Sequence, residues 1–279
     1  MAKRRPRHYI ASMDFLISHE GVLRLGVFAA LLAAFIMLET LLPRKARVMP
    51  RARRWLTNFA IVGVDTVLLR LIFPLAAAGT AVWANQAGFG LFNLVALPLW
   101  LTIVVTVIVL DALIYVQHII FHRVPIFWAM HKVHHTDRDL DVTSALRFHP
   151  AEIIVSMLYK LACVALLGVP VAAVIIFEIL LNGTAMFNHA NLRLPLWLDK
   201  ALRIVLVTPD MHRVHHSVIP KETNSNYGFC LPWWDRLFRT YRAQPEAGHE
   251  GMIVGLKPHQ DERPANLLWS LALPFRRMK

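Results

Sequence analysis

Histidines set the first question, because their spacing is the chain's clearest chemical signal. Residues 118–149 carry His118 and His122, then His131, His134 and His135, then His149. A second group follows with His189, His212, His215 and His216. On a helix, residues three or four apart share a face, so His118 with His122 and each His-x-x-His-His triplet would point their rings toward one locus. Imidazole nitrogens gathered in this way are metal ligands. Asp111 and Tyr115 continue the stripe of His118 and His122 at intervals of four, three and four residues, placing a carboxylate and a phenol where they would orient imidazoles.

A lone His-x-x-x-His pair is equally well explained by hydrogen-bonded interior histidines. Here ten of the 14 histidines lie between residues 118 and 216, and eight of those ten form three spaced clusters. Crowded imidazoles would compete for few partners and would repel one another if charged, so a metal site is the better account. Imidazole suits zinc, copper, iron and nickel, while a structural zinc site needs only four ligands and usually includes cysteine. So many histidines exceed the needs of one ion, and two ions with four or five nitrogens each would keep positions open for dioxygen or water. The two cysteines, Cys163 and Cys230, support neither a thiolate cluster nor a disulfide framework.

The order of these boxes, His118-x3-His122, His131-x2-His134-His135 and His212-x2-His215-His216, resembles the integral-membrane fatty acid hydroxylase and sterol desaturase superfamily. The connecting words agree: Trp128-Ala-Met-His131, Asp141-Val-Thr-Ser-Ala-Leu-Arg147-Phe-His149-Pro150, Asn188-His189-Ala-Asn191, Thr208-Pro-Asp210-Met-His212 and Asn226-Tyr227-Gly228. The resemblance covers about residues 35–242. It implies a di-iron centre, dioxygen as cosubstrate, and hydrogen abstraction from an unactivated carbon of a lipid-like substrate. It does not separate hydroxylation from desaturation. The expected ligands are His118, His122, His131, His134, His135, His189, His212, His215 and His216, with His149 as a further ligand or a donor behind the ligands. Asp111, Asp210 and Asn191 are the expected orienting residues, and zinc is an expected replacement for iron in purified protein.

Such a cluster needs elements to hold it, and the composition says which solvent surrounds them. With 56% hydrophobic and 17% charged residues and a mean hydropathy of +0.47, the 279-residue chain reads as a membrane protein. Its net charge of +12 sits largely in short clusters flanking apolar segments, which suits anionic headgroups and not nucleic acid. Residues 1–9 lack an apolar core with a cleavage site, so no signal peptide is expected. A first span is expected over about Leu23 to Leu42. The loop after it holds Arg44, Lys45, Arg47, Arg51, Arg53 and Arg54 without an acid, which places it in the cytoplasm. Four positive charges near the N-terminus oppose that orientation unless the larger loop outvotes them or residues 10–42 form a shallow hairpin.

From Leu71 to Leu110 no residue is charged, enough for two crossings joined by the turn at residues 85–90; Asp65 and Arg70 would precede them, at the interface or paired with each other. The return helix, continued past Leu110, would carry His118 and His122 just beyond the membrane. Two apolar runs split at Gly168-Val-Pro170 predict a membrane hairpin, within which Lys160 and Glu178 would snorkel, pair or line a substrate cavity. Residues 191–242 suggest amphipathic interfacial helices, and Ala265 to Phe275 a helix too short to span.

The expected architecture is therefore an all-α polytopic membrane protein with about four membrane-embedded helices or hairpins and a cytoplasmic helical cap holding a dimetal site. It forms one domain over residues 1–279, with a core at about 35–242 and a tail at 243–279, in a bacterial cytoplasmic membrane. No flavin, nicotinamide, haem-attachment or iron–sulfur motif occurs, so electrons would come from an external ferredoxin or cytochrome-type donor. The rival readings are a membrane haem protein and a metal transporter; the latter would place its histidines near the bilayer midplane.

Overall fold

A computed structural model describes residues 19–276 apart from Leu75 and Ala96. The expectations for the N-terminal charges, the signal peptide and the start of a hairpin at residue 10 lie outside the described residues. Helices build the molecule: α1 (Glu20–Leu41), α2 (Arg51–Ile72), α3 (Ala76–Gln86), α4 (Leu99–Arg123), α5 (Pro125–His135), α6 (Pro150–Leu167), α7 (Val171–His189), α8 (Leu196–Leu202) and α9 (Pro209–His215). Among the described residues the only β pairings are two isolated bridges, Pro43 with Leu192 and Ser217 with Val254.

Among the described residues, five stretches are long and apolar enough to cross a membrane: Gly21–Leu41, Arg51–Leu94, Leu99–Arg123, Pro150–Leu167 and Val171–His189. The chain is thus a multi-pass membrane protein, with the α6–α7 hairpin as expected. The expectation for the second crossing is corrected. The helix begins at Arg51 and runs unbroken for 22 residues to Ile72, and the separate α3 of 11 residues starts only after Pro74, which cannot donate a backbone hydrogen bond. Asp65 consequently lies inside α2 and is buried. At the far side of the bundle, Gly90 and Gly168 approach so closely that a Cβ on Gly90 would lie 2.3 Å from the Gly168 nitrogen. Both have positive φ, so glycine is required here twice over.

On the ligand side, the sequence between α5 and α6 folds around buried charge. Arg54 donates to Asp137 through Nε and Nη2 and to Asp141 through Nη1, each at 2.7 Å. The guanidinium holds the Asp137 carboxyl down at about 2 despite burial. Asp141 caps the 3-10 turn Val142–Leu146 in a reciprocal capping box with Ser144. Arg147 is 1% exposed and donates to Val133 O, Asn58 Oδ1, Thr136 Oγ1, Pro264 O and Ser270 Oγ. It ties α2, α5 and the tail together, while Trp269 and Leu273 pack on Val133. The tail, with its short helix Leu267–Ala272, is thus part of the wall behind α5.

Candidate metal centre

Each ligand-bearing element delivers its histidines for a local reason. α4 continues for 25 residues because nothing between Pro98 and Val124 interrupts it, so the membrane helix itself carries His118 and His122 to the cap. α5 opens with Pro125 at its first position, and α9 with Pro209 behind the Thr208 cap, both pre-set for helix. α7 brings His189 at its last residue.

The nine histidines gather into two groups: His118, His122, His131, His135 and His215 in one, and His134, His189, His212 and His216 in the other. Within each group the ligand nitrogens lie within 4.8 Å of one another. This corrects the expectation that each His-x-x-His-His triplet aims at one locus. In α5 the pair four residues apart, His131 and His135, serves the five-histidine group, and His134 serves the other. In α9 and its C-terminal cap His216 the sense reverses: His212 and His216 serve the four-histidine group and His215 the five. The triplet is the helical pattern for reaching two adjacent sites at once, with a pair on one side and a single ring on the other.

Hydrogen bonds behind the rings fix which nitrogen faces inward. His118 Nδ1 donates to Tyr227 O at 2.8 Å, His189 Nδ1 to Ala185 O at 2.6 Å, and His215 Nδ1 to Ser225 O at 2.7 Å. A carbonyl only accepts, so these imidazoles carry their proton on Nδ1 and direct a lone pair inward from Nε2. His131 Nδ1 is anchored on a side chain instead, 2.6 Å from Glu152 Oε1. His118 Nε2, with its lone pair directed inward, is 3.2 Å from His131 Nε2. Similar Nε2 to Nε2 contacts of 3.1–3.2 Å join His122 to His135, His134 to His189, His189 to His212 and His212 to His216. Neutral rings cannot satisfy all of these contacts as hydrogen bonds. A cation can: nitrogens at about 2.1 Å from a metal and at right angles to one another are separated by about 3.0 Å. His215 Nε2 is buried without a partner, as an unfilled ligand atom would be.

The electrostatics favour the ligand state. Burial pulls His131 down to about 3. Burial and the neighbouring imidazoles hold His134, His135, His212, His215 and His216 far below the ordinary histidine range. All are neutral at physiological pH, as metal binding requires.

The other expected site residues sit around the clusters in different roles. His149 belongs to neither group: its Nδ1 accepts from Ala151 N as the cap of α6, and its Nε2 is 3.1 Å from Leu271 O. Asp111 touches no imidazole. It accepts from Cys230 N and Leu231 N at 3.1 Å and from Trp234 Nε1 at 2.8 Å, pinning the loop that offers Tyr227 O to His118. Tyr115 bonds Thr240 and stacks on Phe238. Asp210 pairs with Arg44 and Arg213, joining α9 to the loop after α1. Asn191 exchanges hydrogen bonds with the Lys45 backbone.

Two contributors escape sequence reasoning. Glu152, on the first turn of α6, is the carboxylate bonded to a ligand histidine. Asp235 accepts from Tyr227 N at 2.8 Å and Gly228 N at 2.9 Å, and a Cβ at Gly228 would lie 2.8 Å from it. The only sequence signal for Glu152 is its place three residues after His149 in the Arg147-Phe-His149-Pro150 word.

A shallow groove between α1 and α7 is lined by Phe28, Leu31, Glu178, Gly183 and Met186 among others. Glu178 is paired there with Lys160 at 2.8 Å and Arg24 at 2.9 Å. Met186 precedes His189 by three residues, so the groove runs along α7 toward the four-histidine group.

Comparison with known proteins agrees with this arrangement. The profile of the fatty acid hydroxylase family matches residues 103–240, which contain all nine clustered histidines. The ornithine lipid hydroxylase OlsE of Rhizobium tropici is 28% identical over 184 residues, 64% of this chain and 52% of that protein. The alkylglycerol monooxygenases of Homo sapiens and Danio rerio are 30% and 33% identical over 143 and 140 residues, each about 50% of this chain and 29% of the relative. The chain therefore spans about half the length of the first relative and under a third of the other two. No solved structure matches. With its three histidine boxes inside the matched region, the chain is similar to the fatty acid hydroxylase family over residues 103–240.

Proposed function

We propose that this protein is an O2-dependent di-iron oxidoreductase that hydroxylates or desaturates a lipid-like substrate at the membrane surface. The observation that carries the reading is the convergence of nine buried, mostly proton-free imidazole nitrogens into groups of five and four. His118, His122, His131, His135 and His215 would hold one iron and His134, His189, His212 and His216 the other. Iron, when bound, supplies the activation of dioxygen that no side chain of this chain can provide. The protein's own part is positional. Tyr227 O, Ser225 O, Ala185 O and Glu152 aim the rings, Asp111 and Asp235 hold the loop behind them, and the packed cap excludes water.

The relatives' names, lipid hydroxylase and alkylglycerol monooxygenase, support a lipid as substrate. The groove along α7 supports entry of its chain from the membrane. The basic loop at residues 44–54 supports a cytoplasmic site. Electrons come from a separate ferredoxin or cytochrome-type donor, and nucleic acid has no part. The test is elemental analysis of protein from iron-replete cells together with lipid analysis under 18O2. Two irons per chain and label in a hydroxylated lipid, or an O2-dependent alkene, are expected. One metal or fewer per chain, with His134→Ala and His215→Ala still active, refutes the reading.

A further inference from the structure

The segment after α1 and the segment after α7 are clipped together. Arg44 N donates to Asn191 O at 3.0 Å and Arg193 N to Leu42 O at 2.9 Å, beside the Pro43–Leu192 bridge. Both segments begin within a few residues of a membrane-spanning helix, so the clip lies where α1 and α7 leave the hydrocarbon, at headgroup depth.

Beside the clip lies a shallow, solvent-open cleft whose polar lining is Lys45, Arg138, Asp139, Asn191 and Arg213. Its charges do not balance. Arg213, 1% exposed, shares Asp210 with Arg44 and donates to Ala190 O. Both Asp139 oxygens are taken by the backbone N–H groups of Val48 and Met49 at 2.8 Å. Lys45 Nζ donates to the main-chain oxygen of Glu250, and Arg138 Nη1 to that of Asp261 at 3.1 Å. Among the described residues neither Lys45 nor Arg138 has a carboxylate ion-pair partner, and Arg138 Nε is buried with none. On the rim, Glu250 is shared by Arg44 and Arg193. Burial first, then Arg213 and Arg44, hold the Lys45 ammonium below its ordinary range, with Asp139 and Glu250 opposing them.

A compact anion with several acceptor oxygens would complete this arrangement, and the headgroup depth of the clip beside it identifies its source. We propose that the cleft binds the phosphate of an anionic phospholipid headgroup at a place separate from the metal centre. The proposal does not depend on the oxidation reading. It makes the protein responsive to the charge of its membrane.

The test uses full-length, metal-loaded protein in neutral detergent, titrated with phosphatidylglycerol, phosphatidylcholine or inorganic phosphate and followed by native mass spectrometry and thermal denaturation. Phosphatidylglycerol is expected to bind and stabilise, and phosphatidylcholine, whose choline cancels the phosphate charge, to do so less. Lys45→Gln with Arg138→Gln is expected to weaken phosphatidylglycerol roughly thirtyfold, about fivefold per cation lost, with metal content unchanged. Lys45→Arg with Arg138→Lys is expected to retain binding. Should the double glutamine variant not fold, Arg138→Gln alone carries the test with a loss of about fivefold. Equal phosphatidylglycerol binding by wild type and the glutamine variants overturns the proposal. So does full saturation by inorganic phosphate with no gain from lipid. Binding of an acidic ferredoxin that is lost in the variants while lipid binding persists overturns it in favour of a protein-docking site.

Discussion

Replacing Glu152 separates the two metal sites, because its carboxylate touches one group only. Its Oε1 lies 2.6 Å from His131 Nδ1, and His131 belongs to the five-histidine group. Two of the other four rings there, His118 and His215, are aimed independently by Tyr227 O and Ser225 O. The site should therefore loosen, not collapse. Glu152→Gln keeps a polar partner of nearly the same shape, and Glu152→Ala leaves His131 Nδ1 unpaired. Removing a partner of this kind costs about 10- to 100-fold in metal affinity, which is about 1.4–2.7 kcal/mol, with Gln near the lower bound and Ala near the upper. The assay is a graded chelator titration with elemental analysis at each step. The variants are expected to release one ion at about tenfold or more lower chelator than wild type, while the second is released at an unchanged concentration. Loss of both ions together, or a titration identical to wild type, would refute the assignment of Glu152 to one site.

Other changes test neighbouring parts of the argument. His134→Ala and His215→Ala are expected to abolish activity and lower metal content, each at a different site, measured by elemental analysis. Arg54→Ala strands the buried carboxylates of Asp137 and Asp141 and is expected to destabilise by about 3–5 kcal/mol, read by denaturation in detergent. Asp111→Asn turns an amide N–H toward donors it cannot accept from and is expected to cost about 1–3 kcal/mol by the same measurement, with both metals largely retained. Acid should unfold the metal-free protein early. The folded-state values of His131, His134, His135, His212, His215 and His216 are lowered, His131 to about 3, so their contribution is complete above about pH 6.5 and is lost as pH falls from there toward the folded values. A midpoint of unfolding that does not move between pH 7 and 5 would contradict this.

The parts legible in the sequence are those governed by helical spacing and hydropathy. His118, His122 and the two triplets lie on continuous helices, so period alone brings their rings together, and the α6–α7 hairpin follows from two apolar runs around Gly168 and Pro170. What spacing does not show is the far side of each ring. The partners of His118 and His215 are main-chain oxygens more than a hundred residues away or in an irregular loop, and no residue type advertises a carbonyl. Asp111 and Tyr115 do share a stripe with the ligands, but one or two turns lower, where the chain at 227–240 packs against them and takes their hydrogen bonds. The burial of Asp65 is equally hidden, because α2 begins earlier than its apolar stretch and carries the acid inward.

Three of the four groups that aim the ligand rings are peptide oxygens, of Ala185, Ser225 and Tyr227, and only Glu152 is a side chain. Replacing a side chain at 185 or 225 leaves its carbonyl in place, so these locks are hidden from ordinary point mutation and yield only to changes that move the backbone. Glu152 is the exception, the one dial on the site that a single codon change can turn. Homologues diverging in metal affinity or ring orientation have that position as their direct route, and a directed-evolution library aimed at retuning the centre would gain most by being richest there.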